Sequence, residues 1–296
     1  MKVLMFNHHP DYYLQLHMAL EEMGADCYMA TRDLTFECGA DYCSTHDGGK
    51  LQMGDFLVDE EALYGKKVYT YKDNLDDIDY IFTMNRDIAK NLDFDPNRLF
   101  FGACVHWDLN DMNDSSKYRK ITSHHDADKF NAEYLPFFCP QRGELEDKTY
   151  LTQLISGWRN VPWLEELAAL KNEGKPVIIA GAQDAPDGFV NDWEVLKHTS
   201  LLVHWKDYGT NCNSIMKALD TGIPVYTSRD NRLKLGMKDL PDELFFFSDD
   251  MSMSEAFNKS KDSDNTKIQE TFRSIRNVEN TAKVLEDLLS REKAQI

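Results

Sequence analysis

No run of about eighteen apolar residues occurs in the 296-residue chain, so no membrane span is expected. The opening stretch MKVLMFNHHPD turns polar after its first strand-like residues and does not read as a signal peptide. Cysteine is sparse: six residues, at 27, 38, 43, 104, 139 and 212, are scattered through a chain large enough to do without disulfide staples. A reducing, cytoplasmic setting is the expectation. Cys38, Cys43 and His46 make a C-x4-C-x2-H cluster, but a metal site needs a fourth ligand and a more familiar spacing. Small residues in a loop account for the cluster equally simply, and no metal is expected. Positive charge is in deficit, with 33 Lys and Arg against 51 Asp and Glu, a net charge of −18. An acidic surface repels polyanions at long range. It counts against a nucleic-acid partner and leaves room for a small anion held in a cleft. There is no G-x-G-x-x-G, no P-loop and no G-x-S-x-G, which excludes the common dinucleotide, NTPase and elbow-type hydrolase signatures.

What is present is a run of α/β units. Lys2–Phe6 is a short apolar strand, followed by the polar loop Asn7-His8-His9-Pro10-Asp11. Tyr13, Leu16, Leu20 and Met23 then recur at helical steps until Gly24, and Cys27–Ala30 reads as the next strand. Strand–loop–helix–strand is the opening of a parallel sheet. Further strands are expected at 67–70, 80–83, 99–102 and 120–123, with 33–65 an irregular insertion. The polar stretch 140–149 reads as a linker. A second α/β unit follows, with strands at 175–181, 200–205, 223–227 and 243–247 and helices at 163–170, 193–198 and 213–219. The polar segment 249–266 is expected to be partly mobile, and the tail from about 266 to be one long helix.

The segment 200–228 carries the strongest chemical signal. A strand enters a polar loop, a helix starts near Asn211 or Asn213, and Gly222 precedes another strand. A helix start exposes unpaired N–H groups at the positive end of its dipole, a ready site for a diphosphate. Asn213 and Ser214 can cap the helix or bond a phosphate oxygen, and Lys206 and Lys217 add positive charge. An ordinary capped βαβ turn would have the same pattern.

Lys217-Ala218-Leu219-Asp220-Thr221-Gly222-Ile223-Pro224-Val225 resembles the donor-site signature of GT-B glycosyltransferases, an acidic residue followed by Ala-x-x-x-Gly-x-Pro-Val. The resemblance implies an α/β fold of two Rossmann-like domains facing a central cleft. It implies a Rossmann-like acceptor domain over 1–145, a nucleotide-sugar donor domain over 150–265, and a terminal helix over 266–296 packing back toward the first. It also implies donor contacts from Gly157, Arg159, Gly181, Lys206, Tyr208, Gly209, Thr210, Asn211, Asn213, Ser214 and Lys217. Arg159 suits a phosphate because its planar fork bonds two oxygens together, although a surface salt bridge is an equal alternative. The loop with His8, His9 and Asp11 lies where several of these families place a base or an acceptor-binding residue; Asp11 can instead cap the following helix. The family's ribose-binding carboxylate falls on Lys217 and a second acidic position on Gly209, so donor identity is open.

The activity implied is transfer of a sugar from a nucleotide-sugar to an acceptor hydroxyl, with the nucleotide-sugar as co-substrate and neither cofactor nor metal. Divergent GT-B enzymes include phage proteins that glycosylate modified bases in DNA, one acceptor class among several. His106, His124 and His125 follow strands and are weaker candidates. Two alternatives stay open. The run from Tyr208 to Val225 also resembles the ligand loop of Rossmann-like nucleotide sensors, and the replaced carboxylates fit an inactive GT-B scaffold.

Overall fold

The structure is a computed structural model that describes residues 1–6, 10–30, 44–46, 50–53, 56–59, 68–69, 75–84, 86–103, 106–112, 114, 116–140, 142–154, 163–181, 185–188, 191–206 and 212–291. In chain order the first elements are β1 (Lys2–Phe6), α1 (Pro10–Glu22), β2 (Asp26–Ala30), β3 (Ser44–His46), β4 (Lys50–Met53), β5 (Phe56–Asp59), β6 (Val68–Tyr69) and β7 (Tyr80–Thr83). Then come α2 (Arg86–Asn91), β8 (Leu99–Gly102), α3 (His106–Asp111), β9 (Arg119–Thr122), β10 (Glu133–Tyr134) and β11 (Tyr150–Leu154). Next are α4 (Leu164–Asn172), β12 (Val177–Ala180), α5 (Asp192–Leu196), β13 (Thr199–Val203), α6 (Asn213–Thr221), β14 (Val225–Thr227) and α7 (Arg229–Lys234). The last are β15 (Phe245–Phe247), α8 (Met253–Ser260), α9 (Asn265–Ile275) and α10 (Val278–Ser290).

These elements form two compact units, one made of Met1–Pro140 with Asn277–Ile296, the other of Gln141–Arg276. The first holds a seven-stranded sheet ordered β10-β9-β8-β7-β1-β2-β6, parallel throughout. Its inner strands β7 and β8 are buried on both faces, the pattern of a parallel strand covered by helices on either side. Leu4, Ile81, Leu99 and Phe101 meet Ile88 and Leu109 in one core. Phe82 stacks on Phe100 at 4.7 Å, and the Arg119 guanidinium lies 4.6 Å from the Phe100 ring. α10 completes this unit. It packs on α1 through a face that buries Ala282, Leu285, Leu288 and Leu289. Thr281 Oγ1 donates to the Pro136 carbonyl at 2.8 Å, and Arg119 donates to that of Leu288 at 3.2 Å.

The second unit holds a five-stranded parallel sheet ordered β12-β11-β13-β14-β15. Leu151, Ile179, Leu201, Val203 and Tyr226 pack on Leu167 and Leu170 of α4 and on Met253, Ala256 and Phe257 of α8. The two parallel sheets are the α/β architecture expected from the sequence.

Four features depart from the sequence reading or add to it. Within 33–65, β3, β4 and β5 form an antiparallel sheet. Gly54-Asp55, between β4 and β5, is a two-residue hairpin signal. The polar segment 249–266 contains α8, whose start is a Ser-x-x-Glu capping pattern with Ser252 Oγ accepting from Glu255 N at 3.3 Å. Buried Met253, Ala256 and Phe257 give that helix its apolar stripe. The tail is two helices rather than one. Arg276 is extended and buried, donating to the Gly236 carbonyl at 2.6 Å and pairing with Asp239, while Asn277 caps α10 by accepting from Asn280 N at 2.8 Å. Finally, β11 opens the second sheet at a place the sequence left unassigned. Its inner residues Thr152 and Gln153 are polar yet buried, and Thr152 is satisfied by a 2.8 Å hydroxyl contact to Thr199 on β13.

Candidate ligand site at the carboxyl ends of the second sheet

In an open parallel sheet, ligands gather beyond the carboxyl ends of the strands where the strand order reverses. In the second sheet that point lies between β11 and β13. The segment after β11 carries Gly157 and Arg159 in sequence, and the segment after β13 carries Lys206 through Ser214. Gly157, Arg159, Tyr208, Gly209, Thr210 and Asn211 lie outside the described residues; Lys206, Asn213, Ser214, Lys217 and Gly181 lie within them.

The start of α6 is built from apolar periodicity and a buried junction. Ile215, Met216, Ala218 and Leu219 bury one face. Cys212 is the N-cap residue and its side chain makes no capping bond, while Asn213 and Ser214 occupy the first helical turn, half-buried. The Cys212 thiol is buried 3.0 Å from Nε2 of His204, which immediately follows β13. Burial holds the His204 ring neutral, its pKa depressed to about 3, with the nearby Lys206 charge acting in the same direction. Burial also pushes the Cys212 thiol up, against the pull of Lys206 and of the N–H groups of Ile215 and Ser214. The pair is therefore a neutral thiol–imidazole contact joining the end of β13 to the start of α6. The Asp192 charge also acts on the thiol, raising it further.

The Lys206 backbone is held by Asn231, the third residue of α7. Its Nδ2 donates to the Lys206 carbonyl at 2.7 Å, and its Oδ1 accepts from the Lys206 N–H at 3.3 Å. α7 itself starts at Ser228, whose hydroxyl accepts from Asn231 N at 3.1 Å.

The far end of α6 is anchored as firmly. Asp220 is buried, with its carboxylate taking the Arg273 guanidinium at 2.8 and 3.0 Å, the Gly143 N–H at 2.8 Å and Arg142 at 3.2 Å. Its carbonyl accepts from Gln269 at 2.6 Å. Gly222 ends the helix in the left-handed region, φ 87°, and its carbonyl accepts from Asn265 at 2.6 Å. Asp220 and Gly222 thus tie α6 to α9 and to the chain entering the unit.

Lys217, at the family's carboxylate position, donates to Asp192 of α5 at 3.2 Å and lies 5.6 Å from the centre of the Trp193 ring. Its charge is engaged on the α5 side of the helix. Gly181 follows β12 with φ 120° and donates its N–H to the Gly188 carbonyl at 3.0 Å.

In the first sheet the order reverses around β1, which lies between β2 and β7. His8 and His9, which follow β1 in sequence, lie outside the described residues, and Asp11 is the second residue of α1. His106 begins α3. His124, after β9, is buried, stacks on His125 at 4.5 Å and accepts from Asp126 N through Nδ1 at 3.1 Å. Among the described residues no group of three or more His, Cys, Asp or Glu could hold a metal ion, and no helix is long and apolar enough to cross a membrane. Of the C-x4-C-x2-H cluster, Cys38 and Cys43 lie outside the described residues and His46 ends β3.

Two residues that sequence reasoning missed are Asn231 and His204. Neither has a motif; each becomes visible only when β13, β14 and α6 are brought together.

No family model matches the sequence, and no curated protein does. Similar folds do occur among solved structures. AviGT4, a glycosyltransferase involved in avilamycin A biosynthesis, has a TM-score of 0.57 at 11% identity over 100% of this chain and 99% of its own. HepE of Anabaena, in complex with UDP and glucose, has a TM-score of 0.58 at 11% identity over 98% and 100%. Sucrose-phosphate synthase of Thermosynechococcus elongatus has a TM-score of 0.55 at 10% identity over 100% of both. At these identities the likeness is one of fold, and the fold of this chain is that of the GT-B glycosyltransferases.

Proposed function

We propose that this protein is a glycosyltransferase that takes a nucleotide-sugar donor at the start of α6 and passes its sugar to an acceptor hydroxyl. The observation that carries this reading is the tie between the start of α6 and the end of β13, where the Cys212 thiol lies 3.0 Å from His204 Nε2, two residues before Lys206. It occurs on a sheet whose nearby structural relatives include one in complex with UDP and glucose. The N–H groups of the first turn of α6 and the Lys206 ammonium stabilise negative charge as the diphosphate departs. Arg159, from the segment that follows β11, adds a two-pronged phosphate donor. The acceptor and its base belong to the first unit, where His8, His9 and Asp11 follow β1 in sequence. Lys217 is a structural residue in this reading, since its ammonium is committed to Asp192. The net charge of −18 disfavours DNA as acceptor relative to a carbohydrate, a protein or a small molecule. The scattered cysteines, of which Cys27 and Cys212 are free thiols, favour a reducing cytoplasmic setting.

The test is turnover. Purified protein incubated with a panel of nucleotide-sugars is expected to release nucleoside diphosphate slowly from one of them, with water as the stand-in acceptor. Binding without release would point to a nucleotide sensor, and neither binding nor release to an inactive scaffold.

A further inference from the structure

The ladder of the second sheet ends one step short of Lys206. The N–H of His204 donates to the Tyr226 carbonyl at 3.0 Å, the last backbone bond between β13 and the chain of β14. Beyond it β14 gives way to Ser228 and to the first turn of α7, and among the described residues no neighbouring strand continues to pair residue 206. Asn231 stands in that place. A carboxamide has the donor and acceptor of a peptide group, and this one bonds both the N–H and the carbonyl of Lys206, as a neighbouring strand would. Asn231 is itself fixed. It is buried, Thr227 Oγ1 donates to its Oδ1 at 3.3 Å, and its backbone N–H donates to the Ser228 cap. On the other side, the His204–Cys212 contact ties the same turn to the start of α6. Residues 204–206 are therefore clamped between two helix starts, α6 and α7, at the carboxyl ends of β13 and β14.

We propose that Asn231 is a positioning residue for phosphate recognition, extending the sheet by one residue so that the Lys206 ammonium meets the diphosphate of a bound nucleotide at the start of α6. The inference rests on the donor-site reading given above. Asn231 touches no ligand; it acts through Lys206. A lysine on an untethered loop loses rotamer and backbone freedom when it meets a phosphate, and a fixed backbone removes part of that cost. Lys206 follows His204 by two residues, and the His204–Cys212 contact holds that end of β13 against the start of α6.

The prediction is specific to phosphate. Affinities for UDP and for uridine are measured by calorimetry on the wild type, Asn231→Leu, Lys206→Met and the double variant, with GDP and guanosine as the pair where UDP does not bind. Asn231→Leu is expected to weaken the diphosphate about tenfold and leave the nucleoside unchanged, as is Lys206→Met. The double variant is expected to be no weaker than Lys206→Met alone, because both changes remove one interaction. Where Asn231→Leu does not fold, Asn231→Ser takes its place in the cycle. Equal losses for nucleotide and nucleoside, no loss for either, or losses that multiply in the double variant would overturn the role of Asn231 alone. A wild-type protein that binds no nucleoside diphosphate would overturn the donor-site reading and this inference with it.

Discussion

Asp220→Ala is expected to destabilise the second unit by about 3–5 kcal/mol, the cost of removing one partner from a buried ion pair. The carboxylate is 1% exposed and takes four separate donations, two of them from the Arg273 fork. Without it, the buried Gly143 N–H loses its acceptor and the half-buried Arg273 guanidinium keeps the residue 220 carbonyl at 3.1 Å but loses both carboxylate contacts, and the orphaned buried donor accounts for part of the loss. Alanine at 220 leaves α6 connected to α9 through Gln269 and Arg273 on the residue 220 carbonyl and Asn265 on Gly222. Thermal unfolding of wild type and variant, read by far-UV circular dichroism, checks this. At about 2–4 °C per kcal/mol for a domain of this order, a drop near 10 °C is expected. A shift within about 2 °C would mean that the network is solvated and contributes little. The Asp220 carboxylate sits inside the signature stretch, so the same variant shows whether that stretch is held by structural demand.

Gly222→Ala is expected to cost at least about 2 kcal/mol, through two independent effects that both need glycine. The backbone is in the left-handed region, which an L side chain enters at about 1 kcal/mol or more. A Cβ there would also stand 2.5 Å from the Asn265 carbonyl oxygen, and a backbone atom at the start of α9 has no rotamer by which to move away. Gly174 gives the control: its φ of 81° is similar but a Cβ would meet nothing within 4 Å. Gly174→Ala should therefore show the strain alone, and the difference between the two alanine variants in urea unfolding isolates the clash. Equal effects at the two sites would contradict the close approach of α9 to Gly222.

This glycine shows why parts of the fold were legible in sequence. Ala218, Leu219, Gly222, Pro224 and Val225 are buried or left-handed for reasons that leave a pattern: a helix face, a helix stop and a strand that begins after proline. The buried strands β1, β7, β8 and β13 were legible for the same reason, as apolar runs bounded by turns. β11 was not, because its inner residues Thr152 and Gln153 are polar, and only tertiary pairing reveals that the Thr152 hydroxyl is met by Thr199 on β13. The break at Arg276 was hidden because arginine favours a helix, and its buried contacts to Gly236 and Asp239 override that preference. At the candidate site, the helix start and Lys206 could be read from residue type and order. The Asn231 bracket could not, since 25 residues separate its partners and an asparagine after a strand has no signal of its own. Lys217 has a charge that suggests phosphate, and tertiary packing brings that charge to Asp192 and to the Trp193 ring, contacts that residue order does not show.

The most direct test of the central claim is thermal stabilisation of the purified protein by UDP-, GDP-, CDP-, ADP- and dTDP-sugars and their free diphosphates. A donor at 100 times its dissociation constant adds about 2.7 kcal/mol to the folded state, several degrees of shift. The account predicts a clear shift with one nucleotide-sugar and a diminished one in Lys206→Met. No shift with any of them would contradict a nucleotide site at the start of α6.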